Sequence, residues 1–240
     1  RGLGKAEAYA RLVPRPMHEA FRALAGLLPV SHSNISWDFK IKRGMRGASH
    51  PAACWNAVWL GALEPGEIAR LFGTPVDPED LYSEAIETWD ACAQTNLVDR
   101  TLQFYTEIYL QDGILAKVDR ASMMHGLEAR SPFLDLEVAD FARRLPHHFK
   151  LRNGVTKYLL KKALEPLLPA DIIYRKKKGF GTPAGTWFRS GRIAPRNEEK
   201  FCLEKLAAHR AGQADERLYL WCQMVLDEWE ASLKAGRLLP

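Results

Sequence analysis

A short run of cations and glycines, residues 175–183, has the composition of an anion-binding loop. Four consecutive cations, with no acid within three residues of them, are followed by Gly179, Gly181 and Pro183. Two like charges about 4 Å apart repel by roughly 4 kcal/mol at an effective dielectric of 20, so a bound polyanion would stabilise such a run. Glycines let backbone N–H groups approach an anion, and Pro183 suits the start of a helix, whose unpaired N–H groups also favour one. The pattern favours a phosphate or pyrophosphate site, and a solvated basic loop remains the open alternative.

A second charged group lies in a strongly apolar helical segment. Lys117 and Arg120 are three residues apart and therefore share one helix face, while Asp119 has no cation three or four residues away. An unpaired buried charge costs free energy, so these three side chains need partners from elsewhere in the molecule. Two interpretations stay open, a buried structural ion network and a ligand site that uses these groups.

A third group occupies the extended segment that follows. Glu128 and Arg130 are two residues apart, so their side chains project to the same side of an extended chain. Pro132 disfavours helix at Ser131, and Asp135 is predicted to cap the next helix. This group is interpreted either as a structural clamp or as a substrate contact.

Helices must position these groups, because apolar residues recur at helical spacing along most of the chain and no convincing alternating strand pattern appears. Residues 97–110 and 114–127 are apolar almost all round, which predicts two helices buried on most sides and separated by a break at Asp112–Gly113. Thr156 and Thr182 are predicted N-caps of the helices that follow them. The expected fold class is mainly α.

Positive charge is concentrated in two stretches of the chain. The net charge is +5, yet residues 150–178 alone carry nine cations and two acids. Residues 29–50 are also basic, and their proline, serines and glycines make them the best candidate loop. A local excess of this kind indicates an anionic partner without specifying a nucleotide or a nucleic acid.

Composition limits the class of protein. The 240 residues are 47% hydrophobic and 26% charged, which excludes a mainly disordered chain. No apolar window is long enough for a membrane span. The four cysteines form no CxxC pair, so buried free thiols in a reducing cytoplasm are expected. The chain starts at Arg1 without a methionine or an apolar leader, which predicts no signal peptide and suggests missing upstream sequence.

Several motifs resemble the synthetase domain of glutamine-hydrolysing asparagine synthetases. The resemblance is carried by residues 111–135, by Arg175 through Pro183, and by the ending from His209 to Asp215. Good matching covers about residues 97–233, and residues 1–96 match only loosely, as a helical insert with the basic loop at 29–50. Residues 97–240 are then the helical C-terminal part of the synthetase domain, with the whole chain expected to form one continuous domain.

The resemblance implies a chemistry for the cationic run. The family joins an N-terminal glutaminase domain to a Rossmann-like α/β ATP-pyrophosphatase domain that adenylates aspartate, releases pyrophosphate and lets ammonia attack the acyl-adenylate. By motif match, Lys177 is the pyrophosphate-contacting lysine. Arg175 and Lys178 would assist it, and Gly179 and Gly181 would admit the phosphates. The resemblance implies ATP and Mg²⁺ as cofactors and a cytoplasmic location, and it leaves a homodimer possible.

The sequence also departs from the family pattern. The Ser-Gly-Gly-x-Asp-Ser pyrophosphate loop, the Gly-x-Gly-x-Asp-Glu segment with its magnesium-binding aspartate, and the glutaminase nucleophile are absent from these 240 residues. No metal ligand is therefore expected in this chain. The expectation is a C-terminal part of a larger synthetase that is inactive by itself.

Three alternative functions remain. A related beta-lactam or peptide-cyclising synthetase would keep the fold and use a different acid or an internal amine. A helical nucleic-acid-binding module would use the cations of residues 150–178 with Tyr158, Tyr174 and Phe180, although no nucleic-acid-binding motif appears. A scaffold that has lost the catalytic half is the third alternative.

Overall fold

The computed structural model describes residues 3–33, 36–176 and 181–236. Helices dominate these residues, and the one sheet found among them is a two-residue hairpin in which β1, Leu151–Arg152, pairs antiparallel with β2, Val155–Thr156. The predicted mainly-α fold is thereby confirmed. Lys177, Lys178 and Gly179 lie outside the described residues.

The chain divides into two compact units. The middle unit comprises Arg1–Lys5 and Ala91–Phe180, and the split unit comprises Ala6–Asp90 and Gly181–Pro240. The closing helices thus belong to the same unit as residues 6–90. The boundary that separates the predicted insert, residues 1–96, from the predicted synthetase part stays a prediction.

The described residues of the first half of the chain form seven short α-helices and a 3-10 turn at Ala52–Cys54. The α-helices are α1 Leu3–Leu12, α2 Arg15–Gly26, α3 Trp37–Ala48, α4 Trp55–Leu60, α5 Pro65–Phe72, α6 Pro78–Leu81 and α7 Ser83–Asp90. Local sequence explains the ends of α5. The Glu64 and Glu67 side chains form a capping box around Pro65, and Gly73 ends the helix at a φ of +69°.

In the second half, the residues that the structure describes form nine α-helices, a π-helical stretch at Tyr105–Leu115 and a 3-10 turn at Pro132–Leu134. The α-helices are α8 Leu97–Phe104, α9 Ala116–Met123, α10 Leu136–Arg144, α11 His147–Lys150, α12 Tyr158–Leu164, α13 Ala170–Ile173, α14 Ala184–Arg189, α15 Lys200–Arg210 and α16 Arg217–Lys234.

The main core lies in the split unit, where α14, α15 and α16 pack together. Phe188 of α14 and Leu220 of α16 are fully buried there. The rings of Phe201 and Tyr219 add an edge-to-face contact with centroids 5.3 Å apart. A smaller cluster in the same unit contains Cys54, Val58 and Tyr82.

The predicted loop at residues 29–50 is wrong over most of its length, because α3 occupies Trp37–Ala48. The glycine that suggested a loop serves packing instead. A Cβ on Gly47 would overlap the indole ring of Trp59, so glycine is needed for close helix packing rather than for a turn. Arg43 of α3 also donates to the carbonyl oxygen of Trp59 over 2.8 Å, which fixes α3 beside α4.

Three local predictions in the middle and closing regions are also wrong. Asp112–Gly113 does not break the helix, since the π-helical stretch runs through it into α9. Thr156 lies in β2, and Lys157, at a φ of 55°, precedes α12 instead. Pro183 rather than Thr182 precedes α14, without a side-chain cap.

The middle unit has almost no core of its own. Among its described residues only Thr101 and Phe104 are buried. The prediction that residues 97–110 and 114–127 are buried on most sides is therefore wrong for this chain. The apolar faces exist as predicted, but no element of the unit covers them.

Candidate functional site

The residues just before the predicted anion-binding run are held by a small polar cluster in the middle unit. The Tyr174 hydroxyl donates to Glu165 Oε1 over 2.5 Å, and Lys162 Nζ donates to both oxygens of the same carboxylate over 2.9 and 3.1 Å. Lys161 Nζ lies 5.6 Å from the centroid of the Tyr174 ring. The hydrogen bonds from Tyr174 and Lys162 lower the pKa of Glu165, so the carboxylate stays charged and keeps the tyrosine in place.

The charged groups of the described cations in the run lie in solvent. Arg175 and Lys176 are exposed, and neither forms an ion pair with a residue that the structure describes. Gly181, on the far side of the run, is also exposed. The described part of the run is therefore compatible with an anion site, while the roles of Lys177, Lys178 and Gly179 lie outside the described residues and stay predictions.

The residues just after the run enter the core of the split unit. Ala184, Gly185 and Phe188 of α14 are buried. The backbone carbonyl of Gly185 accepts a hydrogen bond of 2.8 Å from His209 Nε2. A Cβ on Gly185 would lie 3.0 Å from Arg217 Cζ, so the first turn of α14 fits closely against that guanidinium.

His209 is the centre of a buried polar cluster that sequence reasoning missed. The backbone N–H of Glu216 donates to His209 Nδ1 over 3.1 Å, and burial lowers the pKa of this imidazole. The ring of His32 lies edge-on to it with centroids 4.2 Å apart, and burial lowers the pKa of His32 as well. The signal was present in the motif from His209 to Asp215, which supported the resemblance without receiving a role.

Arg217 ties this cluster to the first half of the chain. Its Nε donates to Asp215 Oδ1 over 2.8 Å, and its NH2 group donates to the carbonyl oxygens of Ser31 and Ser33 over 3.4 and 3.1 Å. An arginine with one carboxylate and two carbonyl acceptors has most of its donors satisfied. The loop at residues 31–33 is thereby fixed beside α14.

A second buried charge cluster surrounds Lys205 on α15. Lys205 Nζ forms ion pairs with Glu67 and with Glu216, the latter over 3.0 Å. Nearby, Glu64 accepts from Arg22 over 2.7 Å and from Arg46 over 3.0 Å. Arg22, Glu64 and Glu67 border an open cavity of about 380 Å³, whose other lining residues are Ser49, His50, Pro65, Gly66 and Pro78. Because its charges pair with one another, the cavity is a poor candidate for binding a charged ligand.

Lys117, Asp119 and Arg120 are exposed on α9, and none of the ion pairs formed among the described residues includes them. The expected burial of these charges is wrong, because the helix that carries them is itself uncovered. A role for the three side chains in binding stays a prediction.

Glu128 and Arg130 project to the same side of the extended segment, as predicted. Arg130 Nε lies 2.8 Å from Glu128 Oε1, with the two side chains 83% and 69% exposed. An exposed pair of this kind contributes little to stability, which weakens the clamp interpretation. The Asp135 side chain accepts from the N–H groups of Glu137 and Val138 over 3.0 and 3.2 Å, so its predicted capping role is confirmed.

Among the described residues, no three His, Cys, Asp or Glu side chains are placed to hold a metal ion, and no helix has the length and apolarity needed to cross a membrane. All four cysteines are free thiols. Cys54 and Cys202 are buried, Cys92 is half-buried, and Cys222 is exposed, contrary to the expectation of four buried thiols.

Comparison with known proteins points in one direction. The sequence model of the asparagine synthase family matches residues 16–237. The chain is 33% identical over 173 residues to a Mycobacterium tuberculosis H37Rv protein named "Putative asparagine synthetase (glutamine-hydrolyzing)", covering 67% of this chain and 26% of that relative. It is 32% identical over 150 residues to "Asparagine synthetase (glutamine-hydrolyzing) 1" of Bacillus subtilis, covering 57% and 24%. It is 40% identical over 77 residues to "Asparagine synthetase (glutamine-hydrolyzing)" of Gallus gallus, covering 31% and 13%.

The chain thus spans about a quarter of the length of the first two relatives, whose covered shares are 26% and 24%. No solved structure matches the chain.

Proposed function

The chain belongs to the asparagine synthase family, and from this premise we propose that it supplies part of the ATP site of an amide-forming ligase that makes asparagine. In the proposed reaction the side-chain carboxylate of aspartate attacks the α-phosphorus of ATP, and pyrophosphate leaves. Ammonia from glutamine then attacks the acyl-adenylate carbonyl and displaces AMP. The family match carries this proposal, and the cationic run gives it a chemical basis.

The cationic run acts on the leaving pyrophosphate. Negative charge grows on pyrophosphate as the bond to the α-phosphorus breaks, and fixed cations stabilise that charge most where water is scarce. Lys177 carries the main contact, with Arg175 and Lys178 in support and backbone N–H groups near Gly179 and Gly181. The exposed, unpaired state of Arg175 and Lys176 among the described residues supports this proposal.

Further segments complete the enzyme. A pyrophosphate-loop segment, a Gly-x-Gly-x-Asp-Glu segment with its magnesium-binding aspartate and a glutaminase domain supply the motifs that these 240 residues do not contain. Residues 97–240 belong to the synthetase domain, residues 1–96 form its helical insert, and the enzyme works in the cytoplasm.

The uncovered surface of the middle unit supports this assembly. Among the described residues of the unit, sixteen large apolar side chains are exposed, although a surface of this kind is normally covered by a partner. They are Leu102, Tyr109, Val118, Met123, Met124, Leu127, Phe133, Leu134, Leu136, Val138, Phe141, Phe149, Leu167, Leu168, Ile172 and Tyr174. We propose that the pyrophosphate-loop segment packs on them.

Aspartate-dependent exchange of labelled pyrophosphate into ATP tests the proposal. The complete protein encoded by the gene should catalyse the exchange, and the 240-residue chain alone should not. Exchange that depends on another carboxylic acid would instead indicate a beta-lactam-type or peptide-cyclising relative. Binding of a random oligonucleotide with a steep salt dependence, and no exchange, would favour the nucleic-acid-binding alternative.

A further inference from the structure

Ser49 lies at the end of a chain of hydrogen bonds within the split unit. Its Oγ lies 2.8 Å from Nε2 of His18, and Nδ1 of the same imidazole lies 3.0 Å from the Tyr9 hydroxyl. Tyr9 belongs to α1, His18 to α2, and Ser49 directly follows α3. A nucleophile, a base and a third group that orients the base, each within hydrogen-bond reach of the next, form the arrangement that activates serine hydroxyls.

The imidazole of His18 can accept the proton of Ser49. His18 is buried, so water does not compete for its ring nitrogens. A phenol accepts as well as donates, and burial raises the pKa of Tyr9, which keeps this phenol neutral. The phenol therefore accommodates a proton on Nδ1, which leaves the lone pair of Nε2 facing Ser49 Oγ. A second acceptor for the Ser49 hydroxyl is the carbonyl oxygen of Met45, at the longer distance of 3.3 Å.

Arg22 places a positive charge beside the same serine oxygen. Its NH1 group donates to Ser49 Oγ over 3.0 Å, while its NH2 group donates to the two oxygens of Glu64 over 2.8 and 2.7 Å. The contacts with Glu64 fix the guanidinium in place before any ligand binds. A guanidinium at this distance stabilises the negative charge that develops on Oγ as its proton leaves.

The serine also faces an open space. Ser49 and Arg22 both line the cavity of about 380 Å³, a volume within the range of about 300–1,000 Å³ that small-molecule sites occupy. Because the charges along the cavity wall pair with one another, an uncharged acyl compound fits this cavity better than an ion does.

We propose that Ser49 is the nucleophile of a second active site, which hydrolyses small uncharged esters. Oγ bonds to the carbonyl carbon of the ester as its proton passes to His18 Nε2, and the departing alcohol oxygen takes that proton when its bond to the carbon breaks. Water then bonds to the carbonyl carbon of the acyl-serine and gives one proton to Nε2, and Oγ recovers that proton as it leaves. The products are a carboxylic acid and an alcohol, and the reaction is independent of the proposed pyrophosphate chemistry.

Covalent labelling of the complete protein with diisopropyl fluorophosphate, an uncharged reagent, tests the nucleophile. The serine oxygen bonds to phosphorus, its proton passes to His18 and fluoride leaves, and mass spectrometry of peptides identifies the labelled serine. We expect Ser49 to react on the order of 10²-fold faster than Ser190, an exposed serine whose hydroxyl donates to the carbonyl oxygen of Trp187 over 3.2 Å. Equal rates at the two serines would overturn the proposal.

Substitution of the base tests its role in the same labelling reaction. His18→Gln should lower the rate of Ser49 labelling on the order of 10²-fold, because an amide cannot take up the serine proton. His148→Gln removes an exposed imidazole from α11 and should leave the rate unchanged. A folded His18→Gln variant that labels at the wild-type rate would contradict the role of His18, and thermal unfolding shows whether each variant is folded.

Hydrolysis of p-nitrophenyl acetate provides a readout that does not need the His18 variant. Ser49→Ala should abolish the part of the hydrolysis that diisopropyl fluorophosphate inhibits, whereas Ser190→Ala should retain it. Tyr9→Phe should lower the kcat of this part without raising KM, because the hydroxyl positions His18 and does not contact the ester. Inhibitable hydrolysis that persists undiminished in Ser49→Ala would overturn the proposal.

Discussion

Buried charges in the split unit are stable because each has a matched partner. Only 7% of the Lys205 side chain is exposed, and its ammonium group lies between the carboxylates of Glu67 and Glu216. Burial raises the pKa of Glu67, but the hydrogen bonds from Lys205 and the Glu64 backbone outweigh it and lower the pKa overall. The carboxylate is therefore charged in the folded protein, and its partner lysine is required for stability.

Replacing Lys205 by methionine should lower the free energy of unfolding by about 3–5 kcal/mol, because two carboxylates would remain buried without a counter-charge. Urea unfolding measures the change. Lys200→Met on the same helix provides the control. The Lys200 side chain is 92% exposed, and its Nζ lies 4.0 Å from Glu204 Oε1, so this ion pair is weak and the substitution should change stability very little. Equal effects of the two substitutions would show that Lys205 does not stabilise the folded protein through Glu67 and Glu216.

The effect of Lys205→Met should also depend on pH. Because the folded pKa of Glu67 lies below the ordinary value of 4.5, the stabilisation is complete above that pH and is lost as the pH falls below it. The difference between wild type and variant is therefore largest near neutral pH and narrows below about pH 4.5.

Contacts between near neighbours were predictable from the sequence, whereas contacts between distant residues were not. The pairing of Glu128 with Arg130 and the cap at Asp135 follow from spacings of two and three residues. Lys205 and Glu67 are 138 residues apart, and no local pattern connects them. His209 was part of a recognised motif, but its partner Gly185 becomes apparent only when α14 packs against α15.

At the scale of the elements, most helices followed from periodicity, and the errors occurred where a helix continues or begins against the local signal. Gly113 has the residue type of a helix breaker, yet its backbone lies in the π-helical stretch that leads into α9. Lys157 adopts a left-handed conformation directly before α12, a position that Thr156 was expected to occupy. Residue type alone does not reveal whether the chain turns before or after such a position.

Substitutions at two glycines, Gly113 inside the π-helical stretch and Gly126 after α9, test whether the helix is continuous here. A Cβ on Gly113 would meet no atom within 4 Å, so Gly113→Ala should stabilise the chain by about 0.4–1 kcal/mol in a continuous helix. Gly126 has a φ of +65°, so Gly126→Ala should destabilise it by about 1 kcal/mol or more. Urea unfolding followed by circular dichroism compares them. Destabilisation by Gly113→Ala would support the break that the sequence suggested.

At the scale of the whole molecule, the buried core rather than the exposed apolar surface distinguishes the two units. The split unit buries a core between α14, α15 and α16, whereas the described residues of the middle unit bury only Thr101 and Phe104. Large apolar side chains are exposed on both units, sixteen on the described residues of each. The sequence predicted that the apolar side chains of residues 97–110 and 114–127 would be buried, yet most of them stay partly or fully exposed. Amphipathic patterning indicates which face needs cover, but it does not identify the covering element.

Leu136, the first residue of α10, is 85% exposed and gives a direct test of this surface. Leu136→Glu should leave the unfolding of the isolated chain nearly unchanged. In the complete enzyme it should lower Tm by several degrees and reduce pyrophosphate exchange, because burying an unpaired carboxylate costs several kcal/mol. Glu137→Gln changes the charge next to it and should have little effect. Full stability of the complete enzyme with Leu136→Glu would show that the surface stays uncovered.

The cationic run is proposed to stabilise the pyrophosphate that leaves ATP, and Lys177→Ala in the complete enzyme measures that stabilisation. The measurement pairs the kcat of aspartate-dependent pyrophosphate exchange with the Kd for ATP. We expect kcat to fall on the order of 10²-fold to 10³-fold with the Kd changed less than about threefold, since the lysine acts on developing charge. Lys234→Ala, which removes a lysine that is 81% exposed, should leave both values unchanged. Small and equal effects of Lys177→Ala on kcat and Kd would contradict the claim.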